Sequence, residues 1–336
     1  MSYVKVASDN WRVRTAKLSF ESLTRRVFLA LTASLIVTGA TIAHAEPVKL
    51  RMGYQKYGSL ILLKSTGALE KAMAPMGVEV SWVEFNGGLK LLEGINLGSI
   101  DFGVAGDAPP ILAQAAGAPL VYVGYEPPAP AGEAVIVPKD SPIKSIADLK
   151  GKKVAMNKGG NTHYLIVKLL EKNGLKADDI VYAWLPPSDA RPAFERGGID
   201  AWAIWDPFLA DVSNSVPVRT LGSGSDVGVS NTLFYMSDAK YAKAHSEIIK
   251  VLAEEIRKIG EFAKSNPEKA AAQMAPSIGM NPEALKVAIA RQGFGFRPMD
   301  ATTVKAQQDI ADVFYRVKVI TAPIKIQDIS GLSAPQ

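Results

Sequence analysis

Two similar segments, one in each half of the chain, constrain the fold more than any other feature of the sequence. The first covers residues 98–109 and the second covers residues 197–207. The matching residues lie at one constant offset: Gly98 with Gly197, Ile100 with Ile199, Asp101 with Asp200, and Asp107 with Asp206. Each segment follows the same order of patterns, with a strand, a helix, a strand and a helix before its own strand. The repeat predicts two similar α/β lobes with a cleft between them. A single ordinary α/β domain also alternates strands and helices, and is the alternative.

The positive charge of the chain is concentrated at its amino terminus. The formal net charge is +5, of which residues 1–45 carry +4. The remainder has 32 basic and 31 acidic residues, so it is nearly neutral. A nucleic-acid-binding surface needs clustered basic residues to neutralise phosphates. We therefore expect no nucleic-acid partner.

The residue types that carry most metal and thiol chemistry are scarce. The chain has no cysteine, which excludes thiol nucleophiles, zinc–thiolate sites and cysteine-held iron–sulfur clusters. After residue 45 there are two histidines, His163 and His245, far apart and without a companion at ligand spacing. We expect neither a metal site nor a cofactor.

Residues 1–45 have the pattern of a removable export signal. An uncharged run at 27–43 follows Arg25 and Arg26 and ends at Ala43-His44-Ala45, a small-x-small cleavage pattern. This predicts cleavage after Ala45 and a periplasmic mature protein. Residues 24–29 are similar to the twin-arginine export consensus, with general secretion as the alternative. A retained membrane anchor is a further alternative, because the run is close to the shortest membrane span.

The remaining patterns predict the order of elements. Strands are expected at 48–53, 78–85 and 120–124, with Ser59 capping a helix at 60–71. The apolar runs at 134–137 and 233–236 are interpreted as strands that cross between the lobes. We predict a first lobe of residues 46–132 and 230–336, with the carboxy-terminal helices packed on it, and a second lobe of residues 133–229.

The strongest local signal for a binding site is the glycine-rich turn before a predicted helix at residue 161. Free amides at a helix amino terminus, together with the helix dipole, favour an anion. Glycines allow close approach to the backbone, and the adjacent side chains add donors. The candidate residues are Gly159, Gly160, Asn161, Thr162 and His163. The sequence does not match a Walker loop, and a simple helix cap without a ligand is the alternative.

Other loops are expected to face this turn, because ligands collect beyond the carboxyl ends of strands in open α/β sheets. The first lobe would contribute Gln55, Ser59, Gly106 and Asp107, and the second lobe Trp205, Asp206 and Phe208. Helix capping explains Asp107 and Asp206 together better than acid–base catalysis does. No nucleophile, base and orienting carboxylate are grouped by sequence, so binding without reaction is favoured.

Several of these motifs are similar to those of one known family. They are Gly53-Tyr-Gln-Lys56, Ser81-Trp-Val-Glu-Phe85, Gly98-Ser-Ile-Asp101, Gly106-Asp-Ala-Pro-Pro110, Ala113-Gln-Ala-Ala-Gly-Ala118, Leu120-Val-Tyr-Val-Gly124, Ser141-Pro-Ile-Lys144, Ala147-Asp-Leu-Lys-Gly151, Asp200-Ala-Trp-Ala-Ile-Trp-Asp-Pro207 and Ala311-Asp-Val-Phe-Tyr315. From about residue 50 to the last helix, the chain resembles the periplasmic aliphatic sulfonate-binding proteins of ABC importers. That family lies in a wider group that includes taurine and nitrate binders.

The resemblance implies a type II periplasmic binding fold, with two α/β lobes, two crossovers and closure on the ligand. A sulfonate would lie against residues 160–163, with help from Gln55 and the turn at Gly106 and Asp107. Its aliphatic part would lie near Tyr54, Tyr57, Tyr125, Trp205 and Phe208. The resemblance also implies a monomer that delivers its ligand to a membrane permease.

The chain departs from the family at two places in the expected pocket. Tyr57-Gly58-Ser59 replaces a differently arranged Gly/Ser turn, and residues 158–163 replace a run that is commonly serine-rich. Another small anion, such as taurine or nitrate, is therefore the alternative ligand. An exported enzyme on the same fold is the alternative of a different class.

Overall fold

The computed structural model describes residues 47–331, so the predicted export signal lies outside the described residues. Ten strands are present in this part of the chain: β1 Val48–Tyr54, β2 Val78–Glu84, β3 Phe102–Ala105, β4 Leu120–Tyr125, β5 Glu133–Pro138, β6 Lys153–Met156, β7 Val181–Trp184, β8 Ala201–Trp205, β9 Val218–Ser223 and β10 Phe234–Asp238. They form two five-stranded sheets, in the orders β2-β1-β3-β10-β4 and β7-β6-β8-β5-β9. The fold is therefore two α/β lobes, as the repeat predicts.

The helices of the described residues alternate with these strands and then continue to the end of the fold. They are α1 Gly58–Thr66, α2 Ala68–Met73, α3 Gly88–Asn96, α4 Ala108–Ala115, α5 Asn161–Lys172, α6 Pro187–Glu195, α7 Phe208–Ser215, α8 Gly224–Val227, α9 Ala239–Ala244, α10 Ser246–Ser265, α11 Pro267–Ile278, α12 Pro282–Arg291 and α13 Ala301–Arg316. Short 3₁₀ turns join some of them. No helix within residues 47–331 combines the length and apolar character needed to cross a bilayer.

The two sheets have the same topology. In each, three consecutive strands of the chain lie side by side and parallel: β1, β2 and β3 in one sheet, and β6, β7 and β8 in the other. A fourth, antiparallel strand comes from the segment that crosses between the sheets. Strand β10 lies between β3 and β4, and β5 lies between β8 and β9. The runs predicted to cross between lobes are these two strands.

The aspartates of the repeat perform the same structural task in both lobes. The Asp101 carboxylate accepts a hydrogen bond from the Arg51 amide at 2.8 Å, and the Asp200 carboxylate accepts one from the Lys153 amide at 2.7 Å. Both bonds tie the turn before a third strand to the first strand of the same sheet. Gly98 and Gly197 precede them with φ of 68° and 72°, a conformation that favours glycine. The repeated residues therefore stabilise the equivalent strand connection in each of the two lobes.

The carboxy-terminal helices contact both lobes. Helix α10 buries Ile248, Leu252, Ile256, Ile259 and Ala263 on one face, as their spacing predicts, and packs against α1. Helix α12 packs against α7 of the second lobe. Phe314 of α13 contacts the rings of His163 and Tyr164 in α5. These contacts add to the predicted packing on the first lobe, and the exact lobe boundaries remain a prediction.

The helix after β1 differs from the prediction in its start and its length. It begins at Gly58, with Tyr57 at the cap position, and Ser59 lies inside its first turn. Ser59 is therefore not the cap: its backbone amide donates to the buried Glu126 carboxylate at 2.8 Å. Gly67, at φ 62°, ends α1, and the shorter α2 follows.

Candidate functional site

Two adjoining cavities lie in the cleft between the two sheets. The first has a volume of about 300 Å³ and the second about 320 Å³. They share a wall made by Gln55, Tyr57, Asn86, Pro186 and Trp205. The two cavities are therefore neighbouring parts of one cleft.

The first cavity is formed at the carboxyl ends of the six parallel strands. The first lobe contributes Gln55 and Tyr57 after β1, residues 86–90 after β2, and Gly106 and Pro109 after β3. The second lobe contributes Asn157, Lys158, Gly160 and Asn161 after β6, Leu185 and Pro186 after β7, and Trp205 at the end of β8. This is the edge at which parallel sheets collect ligands.

Two helices from opposite lobes begin at the first cavity without a side-chain cap. Helix α3 starts at Gly88 behind Gly87, and helix α5 starts at Asn161 behind Gly160. All four of these residues line the cavity. The first-turn amides of a helix have no partner within the helix, and they carry the positive end of its dipole. The two helices therefore aim amide donors into one space.

The charged side chains that line the first cavity are basic. Lys90 and Lys158 are its charged lining residues among those the structure describes, and no aspartate or glutamate lines it there. Lys90 is mostly exposed and bonds Glu93 at 2.8 Å. Both the side-chain charge and the helix dipoles therefore favour an anion.

The second cavity combines apolar rings with charges that are already paired. Trp205 and Phe208 meet edge-to-face at 5.8 Å, and three prolines, at 186, 187 and 192, add further apolar surface. Arg191 pairs with Glu195 and Asp211, and Lys56 lies 3.9 Å from Glu84. This cavity suits the less polar part of a ligand whose charged group is bound in the first cavity.

Seven of the predicted site residues line the cleft, and they come from both lobes: Gln55, Tyr57, Gly106, Gly160, Asn161, Trp205 and Phe208. The other eight do not line either cavity: Tyr54, Ser59, Asp107, Tyr125, Gly159, Thr162, His163 and Asp206. Most of these eight have structural partners that explain their position. The Tyr54 hydroxyl donates to Glu84, and the Tyr125 hydroxyl donates to Asp300 at 2.8 Å.

His163 packs behind the glycine turn instead of facing the cleft. Its ring lies 5.0 Å from that of Trp184 and 5.6 Å from that of Phe314, between centroids. Burial, reinforced by the nearby Lys158 charge, lowers the pKa of His163 to about 4. Its Nδ1 atom accepts a long hydrogen bond, 3.4 Å, from the Gly159 amide. His163 is therefore neutral near pH 7 and supports the turn.

The side-chain donors of Asn161 are occupied by protein groups. Its Nδ2 atom donates to Glu133 Oε2 at 2.7 Å and to Asn231 Oδ1 at 3.0 Å. Both hydrogens of this amide therefore bond protein acceptors in this structure, and a contact between Asn161 and a ligand stays a prediction. What Asn161 offers to the first cavity is its backbone amide at the start of α5.

Asp107 and Asp206, the second matched pair of aspartates in the repeat, differ in their hydrogen bonds. The Asp206 carboxylate accepts the Ala210 amide at 3.0 Å, so it caps α7 as predicted, and it pairs with Arg291 at 3.2 Å. Asp107 occupies the cap position of α4, but its side chain makes no capping hydrogen bond. The predicted side-chain cap at Asp107 is therefore wrong, because the carboxyl points into the protein interior.

Two parts of the first cavity were not predicted from the sequence: the turn at residues 86–90 and the side chain of Trp184. A signal for the turn was present, since Gly87-Gly88 follows β2 as Gly159-Gly160 follows β6. The position of Trp184 in the cavity could not be predicted from such a local pattern. Trp184 lies on a lobe-edge strand, stacked on Tyr182 at 4.7 Å, and its place in the cavity depends on how the lobes meet.

Comparison with known proteins identifies the family and the fold. The sequence profile of the NMT1/THI5-like family matches residues 74–270. A protein of Escherichia coli (strain K12) named as an aliphatic sulfonates-binding protein is 41% identical over 303 residues, which cover 89% of this chain and 94% of that protein. The chain therefore belongs to the NMT1/THI5-like family, within which it groups with proteins named for aliphatic sulfonates.

Two crystal structures have the same fold. The alkanesulfonate-binding protein SsuA from Xanthomonas axonopodis pv. citri, bound to MOPS, matches with a TM-score of 0.81 and 37% identity, over 85% of this chain and 99% of that one. The periplasmic aliphatic sulphonate-binding protein SsuA from Escherichia coli matches with a TM-score of 0.77 and 38% identity, over 86% of this chain and 95% of that one. These matches confirm the predicted periplasmic-binding-protein fold.

Proposed function

We propose that this protein is the solute-binding subunit of an ABC importer and captures an aliphatic sulfonate in its cleft. The observation that carries the proposal is the convergence of two uncapped helix starts, at Gly88 and Asn161, on a cavity lined by lysines and no described acidic residue. A sulfonate keeps a single negative charge at physiological pH. Each charge-assisted hydrogen bond from a helix amide would contribute about 1.5–3 kcal/mol before desolvation costs are counted.

The second cavity supports a ligand with an aliphatic part over a bare inorganic anion. The sulfonate would occupy the first cavity, and its carbon chain would extend past Trp205 toward Phe208. Nitrate would leave the second cavity unused, and taurine would place an ammonium group near its apolar wall. Alkanesulfonates therefore fit the two adjoining cavities better than either alternative.

The proposed site of action is the periplasm, after removal of residues 1–45. Relatives of similar length carry periplasmic names, which supports export of this chain. The loaded monomer would close its lobes and present them to the membrane permease. Amino-terminal sequencing of the exported protein tests the cleavage site, and a first residue of Glu46 is expected.

Calorimetry of the ligand-free protein tests the ligand. Titrations with a series of alkanesulfonates, with taurine and with nitrate should give the strongest heat for an alkanesulfonate. The buffer must contain no sulfonate, because sulfonate buffers would compete for the cleft. Absence of heat with every alkanesulfonate would overturn the assignment, and a preference for nitrate or taurine would replace it.

The proposal includes binding without chemical change. Among the described residues that line the two cavities, none is a buried nucleophile paired with a base, and His163 packs behind the glycine turn. Prolonged incubation of ligand with protein, followed by mass spectrometry of the released ligand, should return the ligand unaltered. Time-dependent conversion by the wild-type protein would favour the enzyme alternative.

A further inference from the structure

Two acidic side chains are buried directly behind the first cavity, and they belong to different lobes. Asp107 follows β3 of the first sheet, and Glu133 begins β5 of the second sheet. Both are completely buried. Neither forms an ion pair with any residue in the described part of the chain. A buried carboxylate without a counter-charge is costly, so such groups take up a proton instead.

The hydrogen-bond partners of the pair are too few for two ionised carboxylates. Both Asp107 oxygens and one Glu133 oxygen lack a partner of normal geometry among the described residues, as does the buried Thr162 hydroxyl. The other Glu133 oxygen accepts from Asn161. Asn161 lines the first cavity and donates to Glu133 with its side chain, so it connects the two sites.

The surrounding groups leave this pair without compensation. Tyr122 and Gln307 from the first lobe and Tyr164 from α5 surround Asp107, and Tyr57 lies near Glu133. The cationic side chain of Arg291 is paired with Asp206. The amides of Thr232 and Ala108 only partly offset the burial of Asp107. Burial raises the pKa of Asp107 to about 7, and burial together with the Asp107 charge raises the pKa of Glu133 well above its usual range.

We propose that the lobes close around a proton shared by Asp107 and Glu133, so that capture of the anion is coupled to uptake of a proton. This inference rests on the proposed function, because it requires a ligand that closes the cleft. In open lobes both acids would contact water and ionise. Closure buries them together, and the proton also balances the negative charge bound on the other side of Asn161.

The direction in which pH changes closure of the lobes follows from these pKa shifts. An acid with a higher pKa in the closed state binds more protons there, so acidification favours closure. For Asp107 the pKa rises from 3.8 to about 7, so the pH dependence of ligand affinity is expected between those two pH values. Affinity should therefore decrease by up to about tenfold per pH unit as the pH rises through this window.

Calorimetry in two sulfonate-free buffers with different ionisation enthalpies, such as imidazole and Tris, counts the protons. We expect uptake of about one proton per ligand near pH 6, inside this window, and less above pH 7. Glu133→Gln should retain ligand binding and lower this uptake, but Asp107 remains buried in that variant, so removal of the uptake is expected in the double variant Glu133→Gln/Asp107→Asn. Glu79→Gln, which removes an exposed acid from β2, is the matched control and should leave the proton count unchanged.

Binding without proton uptake in the wild-type protein would overturn the inference and leave the proposed function intact. Unchanged uptake in the double variant would also overturn it and would direct attention to Asp206. Infrared spectroscopy of the protein saturated with its ligand gives an independent check. A protonated-carboxyl band at pH 6 that disappears in the double variant supports the shared proton, and its absence from the liganded wild-type protein contradicts it.

Discussion

His163 shows how burial can reverse the role that a residue type suggests. A histidine beside a glycine-rich helix start has the right chemistry for binding an anion. In the structure its ring lies among Tyr182, Trp184 and Phe314, and its pKa is lowered to about 4. A neutral, buried imidazole contributes packing and one weak hydrogen bond, but no charge for the ligand.

Replacement of His163 by phenylalanine should reduce the acid sensitivity of folding. The unfolded chain protonates this histidine near pH 6.5 and the folded protein near pH 4, so the wild type loses stability as the pH falls through that range. The loss attributable to His163 reaches about 3 kcal/mol at pH 4. Urea unfolding of both proteins at pH 7 and pH 4 measures it. The same acid-induced loss in both proteins would show that His163 does not titrate in this way.

The ion pair of Arg291 and Asp206 connects α12 to the second lobe. Asp206 is almost fully buried, and its pKa is raised to about 6 by burial despite the opposing Arg291 charge. Replacement of Arg291 by methionine leaves this carboxyl without its partner and should cost about 3 kcal/mol of unfolding free energy at pH 8. The cost should be smaller at pH 5, where Asp206 can be protonated. An equal loss at both pH values would contradict the pairing; Arg257→Met, on the exposed face of α10, is the control.

At the scale of elements, the start of α3 and the start of α5 act on the cleft in the same way. Both follow the carboxyl end of a parallel strand, and both begin directly after a glycine at the cap position, without a side-chain cap. The dipole of each helix acts over about one turn, so the effect on a ligand depends on the ligand lying directly at the helix start. This explains why these helices serve the site and the longer α10 does not.

A carboxylate placed at the start of α3 should compete with a bound anion. Asn86→Asp adds a negative charge at the wall shared by the two cavities and should lower ligand affinity by at least tenfold, or about 1.4 kcal/mol. Asn96→Asp makes the same change at the exposed far end of α3 and should leave the affinity unchanged. Equal effects of the two variants in calorimetry would indicate a general charge effect instead of a local one.

In the molecule as a whole, a glycine on one lobe allows a side chain of the other lobe to approach closely at two positions. Gly106 of the first lobe faces Asn161 of the second, where an added Cβ atom would lie 3.3 Å from the Asn161 side chain. Gly159 of the second lobe faces Leu112 of the first even more closely. The close approach of the lobes, and therefore the enclosed cavities, depends on these glycines.

Gly106→Val should weaken ligand binding much more than it weakens folding. The added methyl groups oppose the approach of Asn161, so the lobes must stay further apart and affinity should fall at least tenfold. Ala115→Val, at an exposed position of α4, is the control for the added volume. Calorimetry and thermal unfolding check the prediction, which fails if the affinity of Gly106→Val equals that of the wild type.

The repeat, the class of fold and the segments that reach the cleft could all be predicted from the amino-acid sequence. These features follow from local rules: apolar spacing sets the strands and helices, glycines set the turns, and parallel strands bring their carboxyl ends to one edge. Asp101 and Asp200 could be paired from the sequence because each bonds within its own lobe.

Only the tertiary structure decided which side chains face the ligand space and which are buried behind it. His163, Asp107 and Asn161 all lie on predicted site segments, yet their partners come from distant parts of the chain, namely Phe314, Gln307 and Asn231. Orientation at a helix start depends on what packs against it from the other lobe and the carboxy-terminal helices. Asp107 and Glu133 are likewise buried on strands and turns of different sheets, and no local spacing in the sequence relates them.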